Sequence, residues 1–292
     1  MSDVHRIATD AVEVVVSAAG AELASIRDAA GVELLWQAGP EWPRRAPVLF
    51  PIVGKLAGDT LRSGGAARRM TQHGFARDRT FAWIERAADR MTLRLTDDAK
   101  TRAIYPFGFV LDLAYAVEGA TVTQTARVSN PGETTLPFCV GAHPAFRWPL
   151  VDGAAKESHA LIFETRETGT ARAIDGGLLG PDAPLPFDGE TLPLSPELFA
   201  ADALVLPNVA SRSVRYVALG ADGAALRQII VAWRGYRDLG VWSKPSGAPF
   251  LCIEPWRGMA SPVGWDGDFA EKPGVVLLPP GESAEFAWSV TV

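Results

Sequence analysis

The chain is short of cysteine, of basic charge and of long apolar runs. Only two of its 292 residues are cysteine, Cys139 and Cys252, which excludes a disulfide-rich scaffold; we expect two buried free thiols. The formal net charge is −6, which leaves no basic surface suited to nucleic acid or an anionic membrane. No apolar run approaches the roughly 20 residues of a membrane span, and the N-terminus lacks a signal-peptide pattern. We therefore expect a cytoplasmic protein.

Several cofactor and nucleophile motifs are also missing. The four histidines include no H-x-x-x-H pair, and the cysteines form no C-x-x-C, so we expect no metal site. No G-x-S-x-G nucleophile motif occurs. The segment VLFPIVGK ends in Gly54-Lys55 without the glycine spacing of a phosphate-binding loop. The sequence therefore predicts no metal and no cofactor.

Alternation of apolar and polar residues with period two is the dominant pattern. It is clearest at 91–95, 109–117 and 284–292, and such alternation buries one face of a strand. Only residues 96–103 and 195–201 suggest short helices. Many short strands with few helices predict an all-β fold, a large antiparallel sandwich. The Gly- and Pro-rich stretch 174–193 is expected to be a surface excursion within one domain spanning 1–292. Further predicted strands cover 11–17, 33–36, 121–129, 136–140, 160–164, 215–219, 228–233, 239–243 and 250–254.

Three separated segments each combine apolar residues with one group able to transfer a proton. They are QHGFARD with His73, GAHPAF with His143, and CIEPW with Glu254. Burial beside Trp256 would raise the pKa of Glu254 toward that of a general base. An imidazole, with a pKa near about 6.5, can donate or accept a proton at neutral pH. We expect the strand that contains Glu254 to end there, because Pro255 cannot donate a ladder hydrogen bond.

Structural interpretations compete with each of these functional ones. Glu254 alone could be a solvated turn residue, His143 a histidine bonded to backbone, and Lys55 a solvated lysine at a strand end. Gln72, His73 and Arg77 offer donors suited to sugar hydroxyls. His5 and His159 have no comparable setting, so we expect both at the surface.

Taken together, the segments resemble the aldose 1-epimerase (galactose mutarotase) family, in its LacX-like branch. The matching pieces are VLFPIVGKL, QHGFARD, GAHPAF, ADALVL and VWSKPSGAPFLCIEPW, in the family's order. The resemblance implies a galactose-mutarotase-like β-sandwich with an open sugar-binding cleft. It also implies Glu254 as general base, His143 as general acid and His73 as a second histidine that contacts the substrate near the ring oxygen.

The resemblance extends to the substrate-binding residues with one departure. Asp202 matches an acidic residue that binds a sugar hydroxyl, and Trp256 adjoins the base. Lys55 stands where the well-characterised mutarotases have an arginine, and a lysine lacks the planar fork of donors. The implied partner is a small sugar. Two alternatives stay open: a hexose-6-phosphate 1-epimerase and a sugar-binding protein without turnover. The first would need an anion site, for which the sequence offers the arginines at 62, 68, 69, 77 and 79, equally a solvated face.

Overall fold

The computed structural model describes residues 3–245 and 247–292, and its regular structure is almost entirely strand. No helix in this part of the chain is long and apolar enough to cross a membrane. The strands are β1 (Val4–Ala8), β2 (Val12–Ser17), β3 (Glu22–Asp28), β4 (Val48–Leu49), β5 (Thr60–Ser63), β6 (Ala66–Arg69), β7 (Ala82–Arg86), β8 (Arg90–Thr96), β9 (Val110–Glu118), β10 (Thr121–Ser129), β11 (Leu136–Phe138), β12 (Val140–Ala142), β13 (Ala145–Arg147), β14 (His159–Phe163), β15 (Ala171–Asp175), β16 (Leu178–Ala183), β17 (Thr191–Pro193), β18 (Leu204–Leu206), β19 (Ser213–Leu219), β20 (Ala225–Arg234), β21 (Asp238–Trp242), β22 (Phe250–Arg257), β23 (Val276–Leu278) and β24 (Ser283–Thr291).

One α-helix and several single 3₁₀ turns make up the helical part of the described chain. The helix α1 (Ala99–Ile104) begins at Asp98, whose side chain accepts from the Thr101 N–H while the Thr101 hydroxyl accepts from the Asp98 N–H. The 3₁₀ turns are Ala57–Asp59, Ala76–Asp78, Lys156–Ser158, Pro196–Phe199 and Phe269–Glu271. Both predicted helical segments therefore contain helix, the second only as a 3₁₀ turn.

Two large antiparallel sheets form the sandwich. One has nine strands in the order β17-β14-β19-β20-β24-β10-β9-β8-β7. The other has eight, in the order β16-β15-β18-β21-β22-β12-β4, with β13 also pairing with β22. Buried side chains of both sheets, such as Leu113, Val231 and Ile253, belong to one core cluster. The predicted all-β sandwich with few short helices is confirmed, and both cysteines are buried free thiols.

The predicted strands differ from the observed ones in two informative places. Residues 33–36 form only isolated bridges, Arg27 with Glu33 and Leu35 with Phe146, instead of a strand. The predicted surface excursion at 174–193 contributes β16, β17 and the end of β15 to the sheets. Its glycines and prolines hid the alternation on which the strand predictions depended.

Strand β22 continues through Pro255, which corrects the expected end at Glu254. The N–H of Ile253 donates to the Pro144 oxygen. The backbone nitrogen of Pro255, two residues further along, faces the same edge of the strand but has no hydrogen to donate. The opposite edge pairs with β21 without interruption, and Leu239 lies opposite Pro255. The proline therefore costs one ladder bond without ending the strand.

Candidate active site

Strand register alone places His143 opposite Glu254. Gly141 pairs with Trp256 and Ala145 pairs with Cys252, so the residues midway between them face each other. The adjacent Ile253 N–H donates to the Pro144 oxygen, so His143 and Glu254 form a non-hydrogen-bonded pair, in which opposite side chains come closest. His143 Nε2 lies 3.2 Å from Glu254 Oε2.

Both members of this pair are buried and short of hydrogen bonds. Glu254 is 1% exposed and His143 6%. Within the described residues, Glu254 Oε2 and His143 Nδ1 are buried atoms without a hydrogen-bond partner. Buried polar groups in folded proteins are nearly always paired, so two unpaired ones in contact make this pair a candidate ligand site.

Two glycines make room for Trp256 beside Glu254. A Cβ on Gly141 would lie 2.7 Å from Trp256 Cδ1, and one on Gly240 would lie 2.5 Å from its Cζ2 and Cη2. Gly240 is also the residue opposite Glu254 on β21. Side chains at these two positions would displace the indole, so the glycines allow an aromatic face next to the carboxylate.

His73 is held by the backbone that precedes it. Its Nδ1 accepts from the Gly54 N–H at 3.2 Å, and its own N–H donates to the Gly54 oxygen at 2.8 Å. With Nδ1 as acceptor, we assign the ring proton of the neutral imidazole to Nε2. The His73 ring meets the His143 ring edge to face, with centroids 5.5 Å apart.

His73 and Asp202 both have a left-handed backbone conformation, with φ of 66° and 80°. This region is unfavourable for residues other than glycine and recurs at functional sites. Gly74, next to His73, has no alternative residue, because a Cβ there would lie 2.2 Å from the Phe50 oxygen. The loop around His73 is therefore built for one conformation.

A cavity of about 390 Å³ opens over this pair on the outer face of the eight-stranded sheet. That volume lies within the range of small-molecule pockets. Seven of the eight residues predicted for catalysis or substrate binding line it: Gln72, His73, Arg77, His143, Asp202, Glu254 and Trp256.

Lys55 is the predicted site residue that does not line the cavity. Its Nζ lies 3.9 Å from Asp59 Oδ1, and its side-chain stem runs past Gly177. Gly54, with φ of 69°, turns the chain just before it. The expectation that Lys55 contacts the sugar in place of the family arginine therefore has no support in this geometry.

The segment that precedes β4 supplies cavity residues that the sequence analysis did not identify. From this segment, Trp42 stacks on His143 with ring centroids 4.9 Å apart; from β21, Trp242 meets His143 edge to face at 5.8 Å. Arg44 lines the same wall. The run GPEWPRRAP, with an aromatic and two arginines between prolines, was the available signal, because binding residues concentrate on loops.

Burial shifts the proton affinities of the central groups in opposite directions. It raises the pKa of Glu254 well above its ordinary value, with Asp202 adding to the rise. The Trp256 indole opposes this rise, although its N–H is not placed to make a hydrogen bond. Burial and then Arg77 lower the pKa of His143 to about 3. The pKa of His73 is lowered well below 6.5, first by burial and then by His143.

These shifts favour the neutral form of each group, a carboxylic acid at Glu254 and an imidazole at His143. Because the two groups are in contact, they titrate as a pair and the proton can pass from one to the other. One proton shared by two groups is one acid and one base, whichever group holds it.

One set of donors in the described chain could in principle hold a metal ion. The ligand atoms of His143, Cys252 and Glu254 lie within 4.8 Å of one another. However, burial raises the pKa of the Cys252 thiol well above its ordinary value, and any negative charge on Glu254 adds to the rise. A protonated thiol is a poor ligand, so the donor set favours proton transfer over metal binding.

Comparison with known proteins identifies close structural relatives. Residues 3–173 match the family model described as aldose 1-epimerase. The plasmid-encoded protein LacX of Lactococcus lactis subsp. lactis is 32% identical over 284 residues, 94% of either chain. A galactose mutarotase related enzyme from Lactobacillus acidophilus superposes with a TM-score of 0.91 at 31% identity, over 99% of this chain and 97% of that one. A galactose mutarotase-like protein from Lactobacillus casei also reaches 0.91, at 26% identity over 99% of both chains.

Proposed function

This chain belongs to the aldose 1-epimerase family, and we propose that it interconverts the α and β anomers of an aldohexose. The observation that carries the proposal is the His143–Glu254 contact of 3.2 Å on the wall of a sugar-sized cavity. Anomer exchange needs one group that removes a proton and another that supplies one, on neighbouring atoms of the substrate. The pair has that composition.

In the proposed reaction, ring opening precedes ring closure. Glu254, as carboxylate, takes the proton of the anomeric hydroxyl while protonated His143 donates to the ring oxygen, and the C1–O5 bond breaks. The aldehyde then rotates about C1–C2. The ring oxygen attacks the other face of the aldehyde, His143 takes back its proton and Glu254 returns its own. Each well-placed acid or base contributes about 10²–10⁴-fold in rate.

The reaction needs a Glu254 carboxylate and a His143 imidazolium, whereas burial favours the neutral form of each group. The proton must move from Glu254 to His143, across the 3.2 Å contact, before ring opening begins. The sugar hydroxyls supply hydrogen bonds to the buried carboxylate, whose Oε2 has no partner among the described residues, and hydrogen bonds to a carboxylate lower its pKa. Substrate binding thereby favours the reactive arrangement.

The remaining cavity residues have positioning roles in this proposal. The Nε2–H of His73 donates to the sugar near its ring oxygen, and Asp202 accepts from a sugar hydroxyl at the cavity rim. Gln72 and Arg77 offer further donors, and the Trp256 indole packs against a C–H face of the sugar.

Polarimetry of freshly dissolved α-glucose and α-galactose tests the proposal directly. The protein is expected to accelerate the decay of optical rotation for at least one of them. Glu254→Gln or His143→Ala should lower kcat by about 10²–10⁴-fold. His5→Ala, at a half-buried histidine outside the cavity, is the control. A folded Glu254→Gln protein with wild-type turnover would remove the glutamate from the mechanism. Sugar binding without any acceleration by the wild type would favour a binding protein.

A further inference from the structure

The end of the cavity that lies away from His143 is apolar. It is lined by residues of β15, β16 and β18 and of the segment that follows β22. Among the described residues at this end, Asp202 is the only one with a charged or hydrogen-bonding side chain. A sugar hydroxyl among the others would lose its hydrogen bonds to water and gain none. The apolar side chains, which we call the apolar end, are Ile174, Leu179, Val205, Met259 and Ala260.

The register of the eight-stranded sheet gives the direction from the proton-transfer pair to the apolar end. Glu254 lies opposite Gly240, and Gly240 lies opposite Val205. His143 is on the other side of Glu254, so the order across the sheet is His143, Glu254, Gly240, Val205. Neighbouring strands are about 4.8 Å apart, which places the Val205 backbone about 10 Å from that of Glu254. The pair and the apolar end therefore lie on one line across the sheet.

The proposed mechanism orients the sugar along this line. The ring oxygen accepts from His143 and the anomeric hydroxyl donates to Glu254, so the direction from the first atom to the second leads toward Val205. C5, which carries the exocyclic carbon, is bonded to the ring oxygen and lies on the His143 side. C2 is bonded to C1 and lies on the Val205 side. The substituent on C2 is therefore the one that points toward the apolar end.

A carboxylate acceptor adjoins the apolar end. Arg172 of β15 pairs with Val205 of β18. Two residues further along β15, Ile174 therefore lies beside Ala203 and next to Asp202, and all three line the cavity. Asp202 Oδ1 accepts from the Ala203 N–H at 2.8 Å, which leaves Oδ2 for a ligand. The C2 substituent thus meets an acceptor and an apolar surface side by side.

A hydrogen-bond donor without a partner lies between the pair and the apolar end. The Trp256 indole occupies the space above Gly240, where a Cβ would lie 2.5 Å from its Cζ2 and Cη2. Gly240 stands between Glu254 and Val205 on the line across the sheet. Trp256 Nε1 is buried and has no hydrogen-bond partner within the described chain. Because an unpaired buried N–H is costly, a carbonyl oxygen on the C2 substituent would be favoured there.

We propose, on the premise of the anomer exchange described above, that the preferred substrate is an N-acetylhexosamine, a sugar with an acetamido group on C2. Its amide N–H takes the place of the hydroxyl that donates to Asp202, and its carbonyl oxygen accepts from the Trp256 N–H. Its methyl group packs against the apolar end. A hydroxyl on C2 would leave the apolar end unfilled, and a 2-deoxy sugar would leave the carboxylate and the indole N–H unpaired.

The test compares three hexoses with their acetamido counterparts: glucose with N-acetylglucosamine, galactose with N-acetylgalactosamine, and mannose with N-acetylmannosamine. Exchange between the α and β anomers is measured by magnetisation-transfer NMR above the uncatalysed rate. In at least one pair kcat/KM should be at least about tenfold higher for the acetamido sugar, which gains an apolar contact and a second hydrogen bond. The N-formyl derivative of the preferred sugar lacks the methyl group, so its kcat/KM should be lower by about threefold or more.

Variants test the assignment of this preference to the C2 side of the cavity. Ile174→Thr places a hydroxyl in the apolar end at nearly unchanged size and should lower kcat/KM of the acetamido sugar by about 3- to 10-fold. Trp256→Phe removes the indole N–H and should lower it by about threefold or more. Both should change kcat/KM of the parent hexose less. Ile84→Thr, the same substitution at an exposed isoleucine of β7, is the matched control and should change neither value.

The outcomes separate this inference from the function it rests on. Exchange of the hexoses without a preference for any acetamido sugar overturns the C2 site and leaves the anomer exchange standing. A preference that the N-formyl derivative, Ile174→Thr and Trp256→Phe all leave unchanged overturns it as well, and the N-formyl comparison decides if the variants fail to fold. Absence of exchange with all six sugars overturns the proposed function, and the C2 site with it.

Discussion

Two buried carboxylates of this protein, Glu167 and Glu254, have opposite surroundings. Glu167 is 7% exposed and accepts from the N–H groups of Ala210 and Ser211, each at 2.8 Å. Glu254 is 1% exposed and accepts no hydrogen bond at Oε2. The first carboxylate stabilises a loop, whereas the second has unmet hydrogen-bonding capacity. Under the proposed function this difference, and not burial, separates the structural acid from the catalytic one.

The histidines repeat the contrast. His159, which we expected at the surface, is 1% exposed; its Nε2 accepts from the Leu150 N–H and its Nδ1 contacts the Ala155 oxygen. Both ring nitrogens of His159 therefore have partners. His143, equally enclosed, has an unpaired Nδ1 and only the Glu254 carboxylate beside Nε2.

The largest expected effect comes from making the same substitution in both carboxylates. Glu254→Gln should lower kcat by about 10²–10⁴-fold with the fold intact, and Glu167→Gln should leave kcat within about twofold. Polarimetry measures both, and circular dichroism checks the folds. If Glu167→Gln reduced turnover as much as Glu254→Gln, hydrogen-bond satisfaction would not separate the two roles.

The same two variants should rank in the opposite order for stability, with the larger loss at Glu167. Glu167→Gln replaces a doubly accepting carboxylate by an amide and should cost about 1–3 kcal/mol in the free energy of unfolding. Denaturant titration at pH 7 measures this loss. Glu254→Gln removes an acid that resists ionisation in the folded state, so no comparable loss is expected. A stability loss at Glu254 as large as that at Glu167 would contradict the comparison.

An added methyl group at Gly240 tests how tightly the cavity is built. Its Cβ would lie 2.5 Å from Trp256, so Gly240→Ala should displace the indole and cost about 1–3 kcal/mol of stability. The control is Ser213→Ala, at the start of β19 in the nine-stranded sheet, where little change is expected. Gly223→Ala would not serve as a control, because Gly223 has a left-handed φ that disfavours alanine. A Gly240→Ala protein as stable and active as the wild type would mean that the position of Trp256 is not critical.

The pH dependence of stability gives a further, smaller contrast. The pKa of Glu254 is raised in the folded state, so the unfolded chain loses its proton first, from about pH 4.5 upward. Wild-type stability should therefore fall relative to Glu254→Gln as the pH rises above about 4.5, by up to about 1.4 kcal/mol per pH unit, until Glu254 ionises in the fold. Below that pH the difference should be constant. Thermal unfolding from pH 4 to 8 measures it; a constant difference throughout would contradict the raised pKa.

How well the sequence predicted the structure depended on which sheet a segment joins. Strand β10 matches its prediction at both ends, and β20 extends it by one to three residues. These strands bury one face and expose parts of the other, so their alternation is visible. In β22 seven consecutive residues are buried, and no alternation marks its two faces. There the one polar residue, Glu254, was the signal.

The cavity wall was predictable only where it lies within the recognisable segments. His73, His143 and Glu254 belong to motifs, and the register between β12, β13 and β22 then brings two of them together. Trp42 and Arg44 lie on a loop without alternation, and their approach to His143 depends on tertiary packing that no local pattern encodes. The left-handed backbone at His73 and Asp202 is likewise a property of the fold, since neither residue requires it.

Trp42 provides the smallest expected effect and the finest test of the contrast between the two histidines. Its ring stacks on His143 at 4.9 Å with an angle of 27°. His159 instead has Tyr216 at 5.7 Å, with the rings tilted by 40°. A stacked indole favours an imidazolium by about 0.5–2 kcal/mol, so Trp42→Leu should lower kcat by about 2- to 30-fold, while Trp42→Phe should retain most of it.

Trp83→Leu, on the edge strand β7 of the other sheet, is the control, and polarimetry gives the rates. A readout specific to the acid is needed because Trp42 also shapes the cavity. If stacking favours the imidazolium, loss of the indole lowers the pKa of His143. The low-pH limb of kcat, where the singly protonated pair gains a second proton at His143, then shifts to lower pH. A lower kcat with an unchanged pH profile would instead assign Trp42 to sugar contact, and the histidines would then differ only in their hydrogen bonds.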